Sequence, residues 1–278
     1  MINRRLRVGL VCNKDFFESD IENFQVARLR EFAEFQWKEM NEPTGWEEMP
    51  DSSEETEAGL VAFARDLDAL VVCHGAPRIS DNIMAQCENL KLIGELEGDR
   101  FARRIDVEAA QVRGIRVTDT THGTSAPVAE WALGLILVAM RNAGALFRKM
   151  IHGEYPFSNQ EERKSNPGFA NGELTEKRVG LLGFGHIGQR LLSFLRPFDA
   201  EVWVHDPFIP KEVAGALGVT LTSMDNILSR CDVVVCLVPL TPMTEGMLGE
   251  REFSLLREGA VFVNVSRGKV VQTEAMLE

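Results

Sequence analysis

The stretch Gly183-Phe184-Gly185-His186-Ile187-Gly188 constrains this chain more than any other. It has the G-x-G-x-x-G form, follows the apolar run "RVGLL" and opens a segment with helical spacing from His186 to about Leu195. A strand that turns sharply into a helix uses each glycine differently. Gly183 permits the tight turn, Gly185 lets the backbone come close to a diphosphate, and Gly188 lets helix and strand pack closely. The N–H groups at the helix start, around His186 and Ile187, then face the anion. The next strand-like run, "EVWVHD", ends on Asp206, near the separation at which an acid accepts hydrogen bonds from the adenosine ribose. A carboxylate there repels a 2′-phosphate, which favours NAD over NADP. The plain alternative is incidental glycines beside a surface aspartate. Strand, loop, helix and acid in this order argue against it.

The surrounding pattern extends the reading to both halves of the chain. "LRVGLVC" (6–12), "DALVVC" (68–73), "LKLIGEL" (90–96) and "IRVTD" (115–119) read as strands. "FQVARLREFAEF" and "SDNIMAQCEN" have helical spacing, the second opened by Ser80 as its cap. Continuous apolar strands alternating with helices predict a parallel sheet covered on both faces. "SAPVAEWALGLILVAMRNAG" predicts a helix with Pro127 in its first turn; being apolar nearly all round, it is expected to lie buried between domains or subunits. The polar stretch "HGEYPFSNQEERKSNPGFANGELTEK" reads as a surface loop or linker. After it come strands "RVGLLG", "AEVWVHD", "CDVVVCLVP" and "GAVFVNVS", with a helix near "SMDNILSR". Two α/β domains are expected, residues 1–119 and 120–278.

Composition serves to exclude. Thirty basic residues against 42 acidic ones give a net charge of −12, so no nucleic-acid partner is expected, because phosphate binding needs a basic face. The acidic run between Glu39 and Glu57 reads as a solvated loop or helix start, not a metal site. Five cysteines (Cys12, Cys73, Cys87, Cys231, Cys236) form no CxxC pair, and three lie in or beside apolar runs. They read as small hydrophobes in a reducing, cytoplasmic compartment. No signal peptide is expected from the opening "MINRRLRVGLVC", and the longest apolar run, Trp131 to Met140, is far short of the roughly 20 residues a membrane span requires.

Several motifs occur together in one order: "RIDVEAAQVRGIRVTDT", "PVAEWALGLILVAMR", "GELTEKRVGLLGFGHIGQRL", "VHDP", "CLVPLTPMTEGML" and "GAVFVNVSRGKVV". From about Leu90 onward the chain resembles the D-2-hydroxyacid dehydrogenases, whereas residues 1–89 share only the α/β rhythm. The resemblance implies a Rossmann-type NAD-binding domain plus a smaller flavodoxin-like α/β substrate domain, both with parallel sheets, in a homodimer formed through the helix Pro127–Arg141. It implies hydride transfer between NAD and a small D-2-hydroxy acid or its 2-oxo acid. Arg267 matches the family's catalytic arginine, which holds the substrate carboxylate and polarises the C2 oxygen. The bare chemistry agrees, since a planar guanidinium grips a carboxylate through two parallel hydrogen bonds. Val238 and Pro239 match the loop over the adenosine side, and Val265 and Ser266 match backbone near the nicotinamide. Leu96, Glu97 and Gly98 correspond loosely to a loop whose main-chain amides meet the substrate carboxylate.

The family's remaining catalytic pair, a histidine oriented by a glutamate, follows the arginine and is expected beyond Glu278. With it belong an aspartate at the nicotinamide carboxamide, a further strand and a returning helix, so the chain reads as truncated. Of the histidines present, His205 belongs with the adenosine end and His186 with the diphosphate turn. His74 and His152 have no recognisable partner in the sequence. His122 alone is placed to face a cleft, without an acid to orient it. Gln272 stands where the family often has an acid. A non-catalytic NAD-binding regulatory protein and an inactive truncated paralogue are the alternatives, and the identity of the 2-hydroxy acid stays open.

Overall fold

The computed structural model describes residues 4–43, 48–50, 52–97, 101–120, 122–170 and 172–277. The chain divides into two compact units, Met1–Gly123 and Thr124–Glu278.

In the first unit, strands β1 (Leu6–Cys12), β2 (Ala33–Glu39), β3 (Ala69–Val72), β4 (Leu92–Glu95) and β5 (Arg116–Asp119) form one sheet. The order is β2-β1-β3-β4-β5 and every pairing is parallel, the flavodoxin-like arrangement. Helices cover it because their apolar sides find β-branched strands to bury against; Leu60, Val61, Ile83, Val72 and Ile93 meet in one cluster. Ser80 caps the helix Asp81–Ala85, accepting from the Ile83 N–H at 3.4 Å. β2 corrects the sequence reading, which ran a helix through Phe35. The helix stops at Phe32 and Ala33 begins a seven-residue ladder with β1, Leu6↔Ala33 to Cys12↔Glu39. Phe35 and Trp37 thereby pack near Leu10, Cys12 and Cys73, and Trp37 stacks on Phe17 with centroids 3.9 Å apart.

In the second unit, β6 (Arg178–Leu182), β7 (Glu201–His205), β8 (Thr220–Leu221), β9 (Val233–Cys236) and β10 (Val261–Asn264) form a second sheet. Its order is β10-β9-β6-β7-β8, again all parallel. Counted from β6 this is 3-2-1-4-5, the Rossmann order, in which the chain reverses direction between β6 and β9. The helix Ser125–Met140 buries one stripe, Ala129, Ala132, Ile136 and Met140, against this sheet's core. Trp131 stays 65% and Val138 46% exposed, so within one chain the helix buries a single stripe. Among the described residues no single helix is long and apolar enough to cross a membrane; Ser125–Met140 and Ala143–Ile151 together would be, but they bend by 71°.

The stretch read as a plain loop contains two short helices, Gln160–Ser165 and Pro167–Ala170. Asn159 starts the first by accepting from the N–H groups of Glu161 and Glu162 at 3.0 and 2.8 Å, an N-cap that offsets the weak apolar periodicity. The helix Lys211–Leu217 and edge strand β8 also escaped the sequence reading, being short and half-exposed.

Candidate functional site

Gly183 takes a left-handed φ of +91°. A Cβ there would also lie 3.2 Å from the Leu237 carbonyl carbon and the Val238 nitrogen. Conformation and contact both require glycine at this position. Gly188 is tight for another reason: its Cβ would meet the Gly183 oxygen at 3.1 Å and the Phe184 ring at 3.2 Å. Gly185 differs from both. It is the N-cap of the helix His186–Leu195, has no side-chain cap, and a Cβ on it would meet nothing within 4 Å. The helix begins at exposed His186 and half-buried Ile187, and a helix N-terminus beside such space suits a diphosphate.

The register of the sheet brings the other expected residues alongside. Leu182, His205, Cys236 and Asn264, the last residues of β6, β7, β9 and β10, are paired side by side. Asp206 therefore follows β7 next to the turn, and its Oδ2 accepts from the Phe184 N–H at 2.7 Å while Oδ1 accepts from Phe208 at 2.8 Å. These two bonds fix the plane of the carboxylate. Val238 and Pro239 follow β9, the Val238 nitrogen lying 3.2 Å from where a Gly183 Cβ would stand. Val265, Ser266 and Arg267 follow β10, with the Val265 N–H donating to the Cys236 oxygen at 3.3 Å.

One residue that the sequence reading missed organises the turn carrying Arg267. The Asn264 Oδ1 accepts from Ser266 N–H at 2.9 Å and Oγ at 2.7 Å, and its Nδ2 donates to the Arg267 oxygen at 3.1 Å. An asparagine interrupting the run Val261–Val265 was the available signal, because Asx side chains bond backbone two residues on. The Arg267 guanidinium donates to the Ser266 oxygen at 3.0 Å.

The first unit holds a separate polar cluster at the carboxyl ends of β3 and β4. The Arg104 Nη1 donates to the Glu95 Oε1 at 2.8 Å and also to Glu97. Side-chain exposures are 0% for Glu95 and 3% for Glu97 and Arg104. The Glu97 Oε1 lies 3.0 Å from the His74 Nε2, so His74 has the partner that the sequence did not reveal. Burial pushes the Glu95 carboxyl up to about 7, partly offset by Arg104. Donor atoms of Cys73, Glu95 and Glu97 all lie within 4.8 Å of one another, but Arg104 already supplies the counter-charge there. Of the loosely expected substrate residues, Leu96 and Glu97 form the turn after β4, while Gly98 lies outside the described residues.

A sequence model of the NAD-binding domain of D-isomer specific 2-hydroxyacid dehydrogenases matches residues 133–278, more than half of the chain. The chain belongs to this family. NAD is the cofactor of the matched domain, in keeping with the glycine turn and with the open space at Gly185. The D-3-phosphoglycerate dehydrogenase of Methanocaldococcus jannaschii is 34% identical over 224 residues, 80% of this chain and 40% of that protein. The chain thus spans about two fifths of the length of the curated phosphoglycerate dehydrogenases it matches. Among solved structures, a Pyrococcus horikoshii OT3 protein superposes with a TM-score of 0.73 at 25% identity, covering 99% of this chain and 74% of its own. A phosphoglycerate oxidoreductase from Rhizobium etli shares the fold at TM-score 0.73 and 22% identity, with coverages of 99% and 76%.

Proposed function

We propose that this protein is an NAD-dependent oxidoreductase that interconverts a D-2-hydroxy acid and its 2-oxo acid. One observation carries the reading. The carboxyl ends of four adjacent strands present Asp206, the glycine turn, Val238-Pro239 and Val265-Ser266-Arg267 in that spatial order. At roughly 4.8 Å per strand, Asp206 and Arg267 are about three spacings apart, roughly 14 Å, on the scale of an extended dinucleotide.

NAD, when bound, supplies or accepts the hydride. The chain's own residues bind and orient. Gly183 and Gly188 shape the turn, Gly185 with the amides of His186 and Ile187 receives the diphosphate, and Asp206 accepts from the ribose hydroxyls. Val238 and Pro239 cover the adenosine side, and Val265 and Ser266 flank the nicotinamide. Arg267 holds the acid's carboxylate and polarises its C2 oxygen, with Asn264 as the residue that positions it. In the first unit, main-chain amides near Leu96 and Glu97 are the counterpart of the family's carboxylate-binding loop. A homodimer through the helix Ser125–Met140 fits the exposed Trp131 and Val138, and a cytoplasmic location fits five free, buried cysteines.

Calorimetry with NADH tests the binding half; no heat would refute it. The catalytic half is tested by NADH absorbance with a panel of 2-oxo acids, using this chain and a longer version that continues past residue 278. A fall in kcat/KM in Arg267→Ala is the expected result, and an unchanged value would remove Arg267 from the mechanism. A regulatory NAD-binding protein would bind NADH and turn over none of the acids.

A further inference from the structure

Gln272 stands where the family often has an acid, and the structure gives that departure a use. Its Nε2 donates to the Gly246 oxygen at 2.8 Å, which an ionised carboxylate, having no hydrogen to give, could not do. A Cβ on Gly249 would come within 2.9 Å of the same amide, so glycine there leaves room for it. Backbone bonds add to the tie. The Gly246 N–H donates to the Lys269 oxygen at 2.8 Å, Leu248 to Val270 at 3.2 Å, and Gln272 to Leu248 at 2.9 Å. The far end of the loop that follows β9 is thereby fixed to the segment that follows Arg267.

The near end of that loop, Val238-Pro239, is held differently. Proline has no N–H, so its carbonyl is the one main-chain group by which Pro239 can be held. The Thr244 Oγ1 donates to that carbonyl at 2.6 Å and accepts from the Thr241 N–H at 2.8 Å, with the Thr241 Oγ1 at 3.1 Å. A hydroxyl has one hydrogen to give and two lone pairs, and this one has a use for each. The amides of Thr244 and Glu245 both donate to the Thr241 oxygen at 3.0 Å, but these backbone turns reach back only as far as Thr241. The hydroxyl carries the link on to Pro239. Thr244 is half-buried while Pro239 and Thr241 are exposed, so the hub sits inside the loop and its outer face stays open to a ligand.

We propose that Thr244 is a positioning residue for the cofactor: its hydroxyl sets Val238-Pro239 against the adenosine half of NAD. The proposal rests on the reading of Val238 and Pro239 as the cover of that half, and adds the side chain that fixes them. With the far end anchored through Gln272, loss of the hydroxyl frees the near end alone.

Calorimetry of the 278-residue chain reads the effect, with NADH and with ADP-ribose, which keeps the adenosine half and the diphosphate but lacks the nicotinamide. Thr244→Val is expected to bind both about tenfold more weakly, the worth of one or two hydrogen bonds. Thr244→Ser keeps the hydroxyl and is expected to stay within about twofold of the unsubstituted chain. An unchanged affinity in Thr244→Val overturns the proposal. So does a loss in Thr244→Ser equal to that in Thr244→Val, or a loss seen with NADH and not with ADP-ribose. Should Thr244→Val not fold, the unsubstituted chain decides: deuterium exchange of the Thr241 amide is expected to slow by at least about tenfold when ADP-ribose saturates the chain, and an unchanged rate overturns the proposal. Failure of the unsubstituted chain to bind either ligand sinks the dehydrogenase reading and this proposal with it, whereas binding that ignores Thr244 sinks only the proposal.

Discussion

Replacing Glu95 by glutamine removes one titration from the interior of the first unit and little else. The amide keeps an oxygen for the Arg104 Nη1, now at 2.8 Å, and for the Glu97 N–H, now at 3.1 Å. Burial raises the wild-type carboxyl from 4.5 to about 7. The folded protein therefore keeps a proton that the unfolded chain releases above its ordinary value, and stability falls as pH rises through that window. At about 1.4 kcal/mol per decade, the loss is roughly 3 kcal/mol between about pH 4.5 and 7, then levels off. Asp68 and Asp81 are shifted the other way, downward, by Arg7 and Arg4 and by Arg113 respectively. They weaken the fold only as pH falls below their ordinary value of 3.8, outside the window. The assay is urea unfolding at several pH values, read by deuterium uptake of the peptide spanning β4 so that it reports this unit. Wild type is expected to lose stability from pH 4.5 to 7, and Glu95→Gln to lose about 3 kcal/mol less. Parallel profiles for the two proteins would refute the assignment of a buried proton to Glu95.

The glycine turn yields a contrasting pair. Gly183→Ala forces a side chain into a +91° φ and against Leu237 and Val238, and urea titration is expected to show a loss of about 1–3 kcal/mol. Gly185→Ala meets nothing within 4 Å, so its melting temperature should match wild type while calorimetry finds NADH affinity lower by at least about tenfold. On the role proposed for Asp206, Asp206→Asn removes a charge that would repel a 2′-phosphate; fluorescence titration should find NADH weakened and the discrimination against NADPH reduced, each by about tenfold. Asn264→Ala deletes three hydrogen bonds of the turn before Arg267, and scanning fluorimetry should record a lower melting temperature, for a cost of about 1–3 kcal/mol.

The parts of the site that were legible in the sequence are those whose requirements are local. Gly183 is dictated by a positive φ within one turn, and Asp206 by the length of one helix and one strand. The apolar runs of β6 and β9 announced themselves because strands covered on both faces have no polar alternation. Edge strands β2 and β8 were not legible, since half-exposed sequence such as "AEFQWKE" carries no clear period and becomes strand only by pairing with a neighbour. Asn264 was overlooked although its type gave a signal. His74 and Glu97 gave none, being 23 positions apart in "HGAPRISDNIMAQCENLKLIGELE".

By itself, then, the sequence determined where the backbone must turn and which segments prefer to be strand or helix. Only the tertiary structure decided that β3 lies beside β4, that Glu95, Glu97 and Arg104 leave water together, and that a histidine rests against them. Dihedral preference is a property of a residue and its immediate neighbours. Desolvation and ion pairing depend on what the rest of the chain packs around a group, and no stretch of sequence carries that on its own.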